Sequence, residues 1–284
     1  MMNREISTEA MLGRLLDMLA PLGSLAVGFS GGVDSTVVLA AALEALGPEN
    51  TLGVTADSET LPAAELEAAR GLAAAMGAPH AVIRTRELEC PEFASNPPDR
   101  CFHCKSELWS RLGALAAERG ITNIADGVNA DDLGDFRPGI RASDKAGVLH
   151  PLAAAGAGKQ DVRRLARALG LANWDKPAQA CLSSRFPYGS VITAEGLRRV
   201  EAAEDRLREL GLRQLRVRSH GDTARIEVPD DAIEALAAAR RSIVGALKEA
   251  GFTYVTLDLE GFRSGSMNEV LADPPPERGH PAKK

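Results

Sequence analysis

Two groups of residues in this chain have types and spacings suited to chemistry. The first is Ser30-Gly31-Gly32-Val33-Asp34-Ser35-Thr36, which follows the apolar stretch Leu25-Ala26-Val27-Gly28-Phe29. Paired glycines let a backbone approach an anion closely. A helix beginning at such a turn points its first N–H groups and its positive end at the same place. Ser30 and Ser35 add hydroxyl donors, and Asp34 suits Mg2+ or the orientation of a nucleotide rather than a bare phosphate. The Gly-Lys-Ser/Thr ending of a Walker loop is absent. A plain turn with a Ser/Asp cap would account for an isolated Ser-Gly-Gly. Six residues between an apolar strand and a helix favour the anion site.

The second group is Cys101-Phe-His-Cys104-Lys105 together with Cys181, which lies 77 positions after Cys104 beside Ser183, Ser184 and Arg185. Cys101 and Cys104 are within chelating range of each other, and thiolates prefer zinc or iron–sulfur centres. Zinc asks for four ligands, with His103 or Cys90 as candidates for the fourth. Three cysteines alone suit a [4Fe–4S] cluster with one open iron. Buried helix cysteines are the ordinary alternative; Cys90 reads as a bystander and His103 as a surface or supporting residue. Arg216 and Arg218 share one face if their segment is a strand. Arginine forks suit phosphate and carboxylate, and a solvated strand face is the other reading. Lys105 suits phosphate or a helix surface. Glu227 suits pairing with an arginine, and Asp126 suits a substrate, Mg2+ or a turn cap.

The elements that must position these residues follow from periodicity. Helices are expected over 5–20, 36–46, 62–76, 99–119 and 159–171, with strands at 25–29, 52–55, 81–84 and 121–125. Strands alternating with helices make a parallel α/β sheet flanked by helices, and ligands of such sheets bind beyond the carboxyl ends of the strands. Residues 138–158 read as loop, and 176–188 as an irregular linker. Beyond it come a helix at 193–210, a hairpin of 214–218 with 224–228 around Gly221-Asp222, a helix at 229–250 and a strand at 254–259, a smaller α+β unit. The expected division is 1–176, 177–272 and a disordered tail 273–284 containing Pro274-Pro-Pro276.

Composition narrows the class. Of 284 residues, 45% are hydrophobic and 25% charged, which suits a chain with a real core. No apolar run nears the roughly 20 residues of a membrane span, and the polar N-terminus lacks a signal-peptide core. Four cysteines are too few for a disulfide scaffold. A cytoplasmic home is therefore expected. Of the 33 basic and 39 acidic residues, 16 of each follow Pro177, leaving 17 basic against 23 acidic before it. The net charge of −6 thus resides in the first region and tells against nucleic acid.

The Ser30–Ser35 loop resembles the pyrophosphate loop of the N-type ATP pyrophosphatases, which split ATP to AMP and pyrophosphate. That resemblance covers about the first 175 residues. It implies that ATP is held by Gly28, Ser30, Gly31, Gly32, Asp34, Ser35, Thr36, Asp126 and Gly127, with the adenine near Thr55, Ala56 and Asp57. Nearly the whole chain is similar to the LarE family, through Ser30–Thr36, Asp126-Gly127, Asp135-Phe-Arg-Pro-Gly139, Ser183-Ser-Arg-Phe-Pro-Tyr-Gly189, Arg216-Val-Arg218, Ala224-Arg-Ile-Glu227 and Tyr254–Met267. Enzymes of that family adenylate the carboxylates of pyridinium-3,5-biscarboxylic acid mononucleotide. They then install sulfur as thiocarboxylates, for the nickel-pincer nucleotide of lactate racemase.

One version of the family sacrifices a cysteine placed where this chain has Ala180. The other holds a [4Fe–4S] cluster on three cysteines and delivers sulfide repeatedly. Cys101, Cys104 and Cys181 match the second. The resemblance further implies ATP and Mg2+ as cofactors, catalytic roles for Asp34, Ser184 and Arg185 with the three cysteines, and substrate contacts from Lys105, Ser184, Arg185, Glu204, Arg216, Arg218 and Glu227. A homo-oligomer without nucleic-acid or membrane partners follows by analogy, and the sulfur donor is left open. The alternatives are a tRNA thiolase, which would bind tRNA in a salt-sensitive way, and a non-enzymatic zinc or nickel module, which would give Ser30–Ser35 no purpose.

Overall fold

A computed structural model describes residues 6–134, 137–177, 179–212, 214–263 and 265–271. Asp135 and Phe136 of the resemblance segment and the tail from residue 273 lie outside the described residues. The chain divides into two compact units. The first comprises 1–87 and 101–179, the second 88–100 and 180–284.

The first unit opens with α1 (Thr8–Leu19), capped by the Ser7 hydroxyl, which accepts from the Ala10 N–H at 3.2 Å. There follow β1 (Leu25–Gly28), α2 (Val33–Leu46), β2 (Thr51–Asp57), α3 (Ala63–Ala75) and β3 (His80–Arg84). A one-turn helix α4 (Pro91–Ala94) belongs to the second unit. The long helix α5 (Arg100–Glu118), β4 (Asn123–Ala125), α6 (Pro138–Lys145), α7 (Pro151–Ala155) and α8 (Lys159–Ala168) complete the first. Its sheet is wholly parallel in the order β3-β2-β1-β4. β1 therefore has its successor on one side and a later strand on the other, the switch point where such sheets receive ligands.

Alternation along β1 explains the layers. Leu25 and Val27 point to the core shared with α1, α2, α7 and α8, while Ala26 points to the core of Trp109, Leu112 and Ala116 on α5. Helix α2 is buried along most of its length, from Val33 through Ala42, as expected of a helix apolar on nearly every side. The glycine at the end of β1 has a packing cause. A Cβ on Gly28 would lie 2.8 Å from the indole of Trp109.

The second unit carries α4, α9 (Ala194–Glu209), β5 (Arg216–His220), β6 (Thr223–Glu227), α10 (Ile233–Ala238), α11 (Arg240–Glu249) and β7 (Tyr254–Leu257). β5 and β6 form the expected antiparallel hairpin. β7 pairs parallel to β6, because α10 and α11 form the helical crossover that parallel neighbours require. Leu197, Val200, Ala203 and Leu207 of α9 are buried in this unit, as are Val217, Ile226, Ile243 and Leu247.

Three expectations change. The segment 138–158 holds two helices, each opening on a proline, which suits a first helical turn where its N–H has no partner anyway. The helix at 229–250 is divided at Ala239, whose ψ of 9° leaves the helical range. Residues 88–100, read from the sequence as part of the first region, group with the second. Asn96 Nδ2 donates to the carbonyls of Phe186 and Pro187 at 3.2 and 2.7 Å. Gly189 and Ile192 donate to the carbonyls of Asn96 and Ala94, and Arg100 lies over the Tyr188 ring.

The contact of Gly28 with Trp109 yields a test. Gly28→Ala is expected to cost about 1–3 kcal/mol by overpacking, read as a lowered midpoint of urea unfolding. An unchanged midpoint would show that the indole yields freely.

Candidate functional site

At the carboxyl end of β1 the backbone turns into α2 through Ser30–Gly32, with Gly31 in the left-handed region at φ 70°. The Ser35 hydroxyl donates to the Gly32 carbonyl at 3.1 Å and accepts from the Ser30 N–H at 3.2 Å. Thr36 Oγ1 donates to the same carbonyl at 2.8 Å, and the Gly32 N–H donates to Ser30 Oγ at 3.3 Å. The loop thus fastens its own carbonyl inward, while the first N–H groups of α2 have no acceptor within the helix. Gly127 passes so close that a Cβ there would sit 2.6 Å from the Ser35 nitrogen. Asp126-Gly127 therefore lies against the start of α2.

Asp34 sits in the first turn of α2, half-buried. Asn129 Nδ2 donates to its Oδ1 at 2.8 Å. Asn129 Oδ1 accepts from the N–H groups of Asp131 and Asp132 at 3.0 and 3.2 Å, so its NH2 must face Asp34. Burial raises the Asp34 pKa above the ordinary carboxylate value, Asn129 opposes the rise, and the charge of nearby Asp132 adds to it. Asp132 pairs with Arg137 at 2.9 Å and Lys159 at 3.6 Å.

Asp126 turns inward. Its Oδ1 accepts from the Val128 N–H at 3.0 Å and lies 2.7 Å from His150 Nδ1, while Oδ2 accepts from the Ser143 hydroxyl at 3.1 Å. His150 bridges to Asp144 through its other nitrogen. Its pKa is raised, chiefly by the bond to Asp126. Of the roles open to Asp126, turn capping is the one these bonds display.

At the end of β2, the Thr55 hydroxyl donates to the Phe29 carbonyl at 2.6 Å, so His80 Nε2, at 2.8 Å, is the donor to Thr55. Burial, then Arg70, lowers the His80 pKa. Ala56 and Asp57 close the strand.

Cys101 and Cys104 lie one turn apart on α5, exposed and half-buried respectively, and both are thiols. Residues at this spacing share a helix face. The Cys104 thiol is 3.9 Å from Glu87 Oε1, which also accepts from Ser58 and Thr60 at 2.8 and 2.9 Å. Among the described residues of the first unit, no three His, Cys, Asp or Glu side chains form a preassembled metal set. Lys105 Nζ lies 5.0 Å from the centre of the Trp109 ring. Cys90 belongs to the second unit, 3.1 Å from Glu92 Oε2.

Cys181 is exposed in the second unit, at the head of a 3-10 turn, Leu182–Arg185. Arg185 lies beneath it, 1% exposed. Its Nη1 donates to the carbonyls of Ala180 and Cys181 at 2.7 and 3.1 Å and to Ser184 Oγ at 2.9 Å. Nε and Nη2 form a fork onto both oxygens of Glu204. Burial alone would raise the Glu204 pKa, but Arg185, the Val217 N–H and Arg208 hold it below the usual range. Strand register then sets the charged face of the hairpin, with Arg216 opposite Glu227 and Arg218 opposite Arg225. Arg218 forks onto Glu227 at 2.9 and 2.7 Å and donates to the Ser184 carbonyl at 2.6 Å. Arg216 lies over the Phe262 ring. Burial, with Arg185 and Arg218 close by, lowers its pKa to about 10. Ser184, Arg185, Glu204, Arg216, Arg218 and Glu227 therefore form one connected group within the second unit.

Comparison with known proteins decides the family. The pyridinium-3,5-bisthiocarboxylic acid mononucleotide synthase of Lactiplantibacillus plantarum is 42% identical over 257 residues, spanning 90% of this chain and 93% of that protein. The chain belongs to the LarE family. An uncharacterised protein of Synechocystis is 45% identical over 265 residues, 93% of this chain and 98% of its own length. The NAD synthase family matches residues 16–90, which run from α1 through the loop to β3. The NH(3)-dependent NAD(+) synthetase of Methanococcoides burtonii is 44% identical over 57 residues, 20% of this chain. This LarE protein is an ATP-dependent enzyme built on the PP-loop pyrophosphatase fold. Among its described residues no helix is long and apolar enough to cross a membrane.

Asn129, Asp132, Asn173, Lys176 and Glu87 escaped the sequence reading. The run Asp126-Gly-Val-Asn-Ala-Asp-Asp132, polar after a strand end, was the available signal for the first two. Nothing local marked the others.

Two outcomes follow. A carboxyl with a raised folded-state pKa loses stability as pH rises through that pKa. Asp34→Asn is therefore expected to melt higher than wild type at pH 7, with the difference closing toward pH 3, while ATP-dependent activity falls; calorimetry at both pH values checks it. Glu204→Ala leaves Arg185 buried without its counter-charge and is expected to cost about 3–5 kcal/mol in urea unfolding.

Proposed function

We propose that this LarE chain is an ATP-dependent sulfur transferase that acts on pyridinium-3,5-biscarboxylic acid mononucleotide and converts its carboxylates to thiocarboxylates for the nickel-pincer nucleotide of lactate racemase. The observation that carries the reading is near full-length similarity to a synthase named for the bisthiocarboxylic product. A substrate carboxylate oxygen attacks the α-phosphorus of ATP, the bond to the bridging oxygen breaks, and pyrophosphate leaves. Sulfide then attacks the acyl carbon, the bond to AMP breaks, and AMP departs with the electron pair. Gly28, Ser30, Gly31, Gly32, Asp34, Ser35, Thr36 and Gly127 are assigned to ATP, with Ala56 and Asp57 at the base and Mg2+ offsetting phosphate charge. Asp126 supports this site through the turn that it caps.

Substrate anions are assigned to Lys105, Ser184, Arg216 and Arg218, with Glu204 and Glu227 holding the arginines in place. Arg185, bonded to the Ala180 and Cys181 carbonyls, sets the backbone that carries Cys181. The donor set fits a [4Fe–4S] cluster: three reduced thiols, two of them one helical turn apart and none at position 180, where the sacrificial version keeps its cysteine. Held by Cys101, Cys104 and Cys181, such a cluster would supply sulfide as a reusable nucleophile. A cytoplasmic homo-oligomer belongs to the same reading.

Anaerobic purification with iron, sulfide and EPR analysis tests it, together with product counting when ATP, substrate and sulfide are supplied. More than one thiocarboxylate per chain, with unaltered protein mass and iron near four per chain, is expected. Single turnover with loss of a protein sulfur, or full activity without iron, would refute the cluster.

A further inference from the structure

The phosphate loop is gripped from outside by a residue beyond α8. Asn173 is buried, between Leu171, which sits in the core, and Trp174, which stacks under Arg167 at 3.6 Å. Its Nδ2 donates to the Gly31 carbonyl at 3.1 Å and to Thr36 Oγ1 at 2.9 Å. The direction of both bonds is dictated by chemistry. A carbonyl only accepts, and the Thr36 hydroxyl spends its proton on the Gly32 carbonyl at 2.8 Å. Asn173 Oδ1 is buried with no hydrogen-bond partner among the described residues, so all the polar bonding of this amide is directed at the loop. The Gly31 carbonyl takes a second donor, Lys176 Nζ at 3.3 Å, which is itself held by Glu65 at 2.6 Å.

These bonds set two successive peptide planes. In a planar trans peptide the C=O and the following N–H point to opposite sides. Fixing the Gly31 carbonyl therefore also sets the Gly32 N–H, which donates to Ser30 Oγ at 3.3 Å. Thr36, oriented by Asn173, holds the Gly32 carbonyl beside Ser35 and so aims the Val33 N–H, the first of α2. Gly31 needs such a restraint. It lies in the left-handed region, with Ala69 of α3 only 3.1 Å from where a Cβ would be, and glycine has the widest choice of conformations to lose.

We propose that Asn173 is a positioning residue for nucleotide binding, acting through the Gly31 carbonyl and the Thr36 hydroxyl to hold the loop backbone so that the first N–H groups of α2 face the phosphates, with Lys176 as second donor. The inference rests on the reading that Ser30–Ser35 takes the phosphates of ATP.

The test uses the full chain with α,β-methylene ATP and Mg2+ in calorimetry, beside KM and kcat for ATP and thermal midpoints. Asn173→Asp keeps the shape, removes both donors and sets a negative charge against the Gly31 carbonyl. It and Asn173→Ala are expected to raise Kd and KM about tenfold, the scale of one or two lost hydrogen bonds, with kcat changed less and the melting temperature within a few degrees of wild type. Lys176→Met, at a partly exposed position, is expected to shift Kd the same way by a few-fold. A purely structural role would lower the melting temperature and leave Kd of the folded protein alone. Wild-type Kd in Asn173→Asp and Lys176→Met overturns the inference, and Lys176→Met carries the test should both Asn173 variants fail to fold. Unchanged affinity in a Ser30→Ala, Ser35→Ala double variant would instead overturn the loop reading, a separate result.

Discussion

The first unit is organised around a backbone problem at the end of β1. A parallel strand that stops and becomes a helix within a few residues leaves N–H groups without ladder or helical acceptors. Burying such groups unpaired is costly, so the turn needs either water or an anion. Here the side-chain hydroxyls of Ser35 and Thr36 are turned onto the Gly32 carbonyl, and Gly31 supplies the left-handed step. The cores on both faces of β1 hold the strand that launches the turn, and Asp126-Gly127 closes against its far side. Asp34 bears the cost of this arrangement: a carboxyl partly removed from water, with one amide donor and another carboxylate nearby.

The second unit meets the opposite difficulty, charges buried among apolar neighbours. Arg185 and Glu204 are almost wholly inaccessible, as are Arg218 and Glu227. Buried ion pairs contribute little net stability but are costly to break singly, because the surviving charge stays unpaired. What these forks provide is orientation. Arg185 reaches two carbonyls next to Cys181, and Arg218 reaches the carbonyl of Ser184. The turn bearing Cys181 is thus tied to α9 and the hairpin through guanidinium groups with fixed planar geometry.

Family membership and local geometry bear on different parts of the function. Similarity over nine-tenths of the chain defines the enzyme class, while the loop between β1 and α2 belongs to a wider set of ATP-using proteins that share only the early strands. Under the proposed function, Ala180 in place of a cysteine and the paired thiols on α5 are what support repeated delivery over sacrifice. The buried Glu87 carboxylate beside Cys104 adds a polar neighbour to one of those thiols.

The sequence by itself determined the alternation of strands and helices and the glycine-bearing turn from β1 into α2, because these are encoded in local periodicity and in residue type at short spacing. The hairpin and its shared arginine face were legible for the same reason. Only the tertiary structure decided that 88–100 joins the second unit, that β7 runs parallel to β6, and that Asp126 faces His150 and Ser143. It alone brought Asn173 and Lys176 to Gly31, more than 140 positions away, and Glu204 to Arg185. Such partnerships are selected by which buried donor meets which buried acceptor once the chain has closed. Hydrogen-bond satisfaction in a core depends on neighbours in space, and no local pattern in the chain records them.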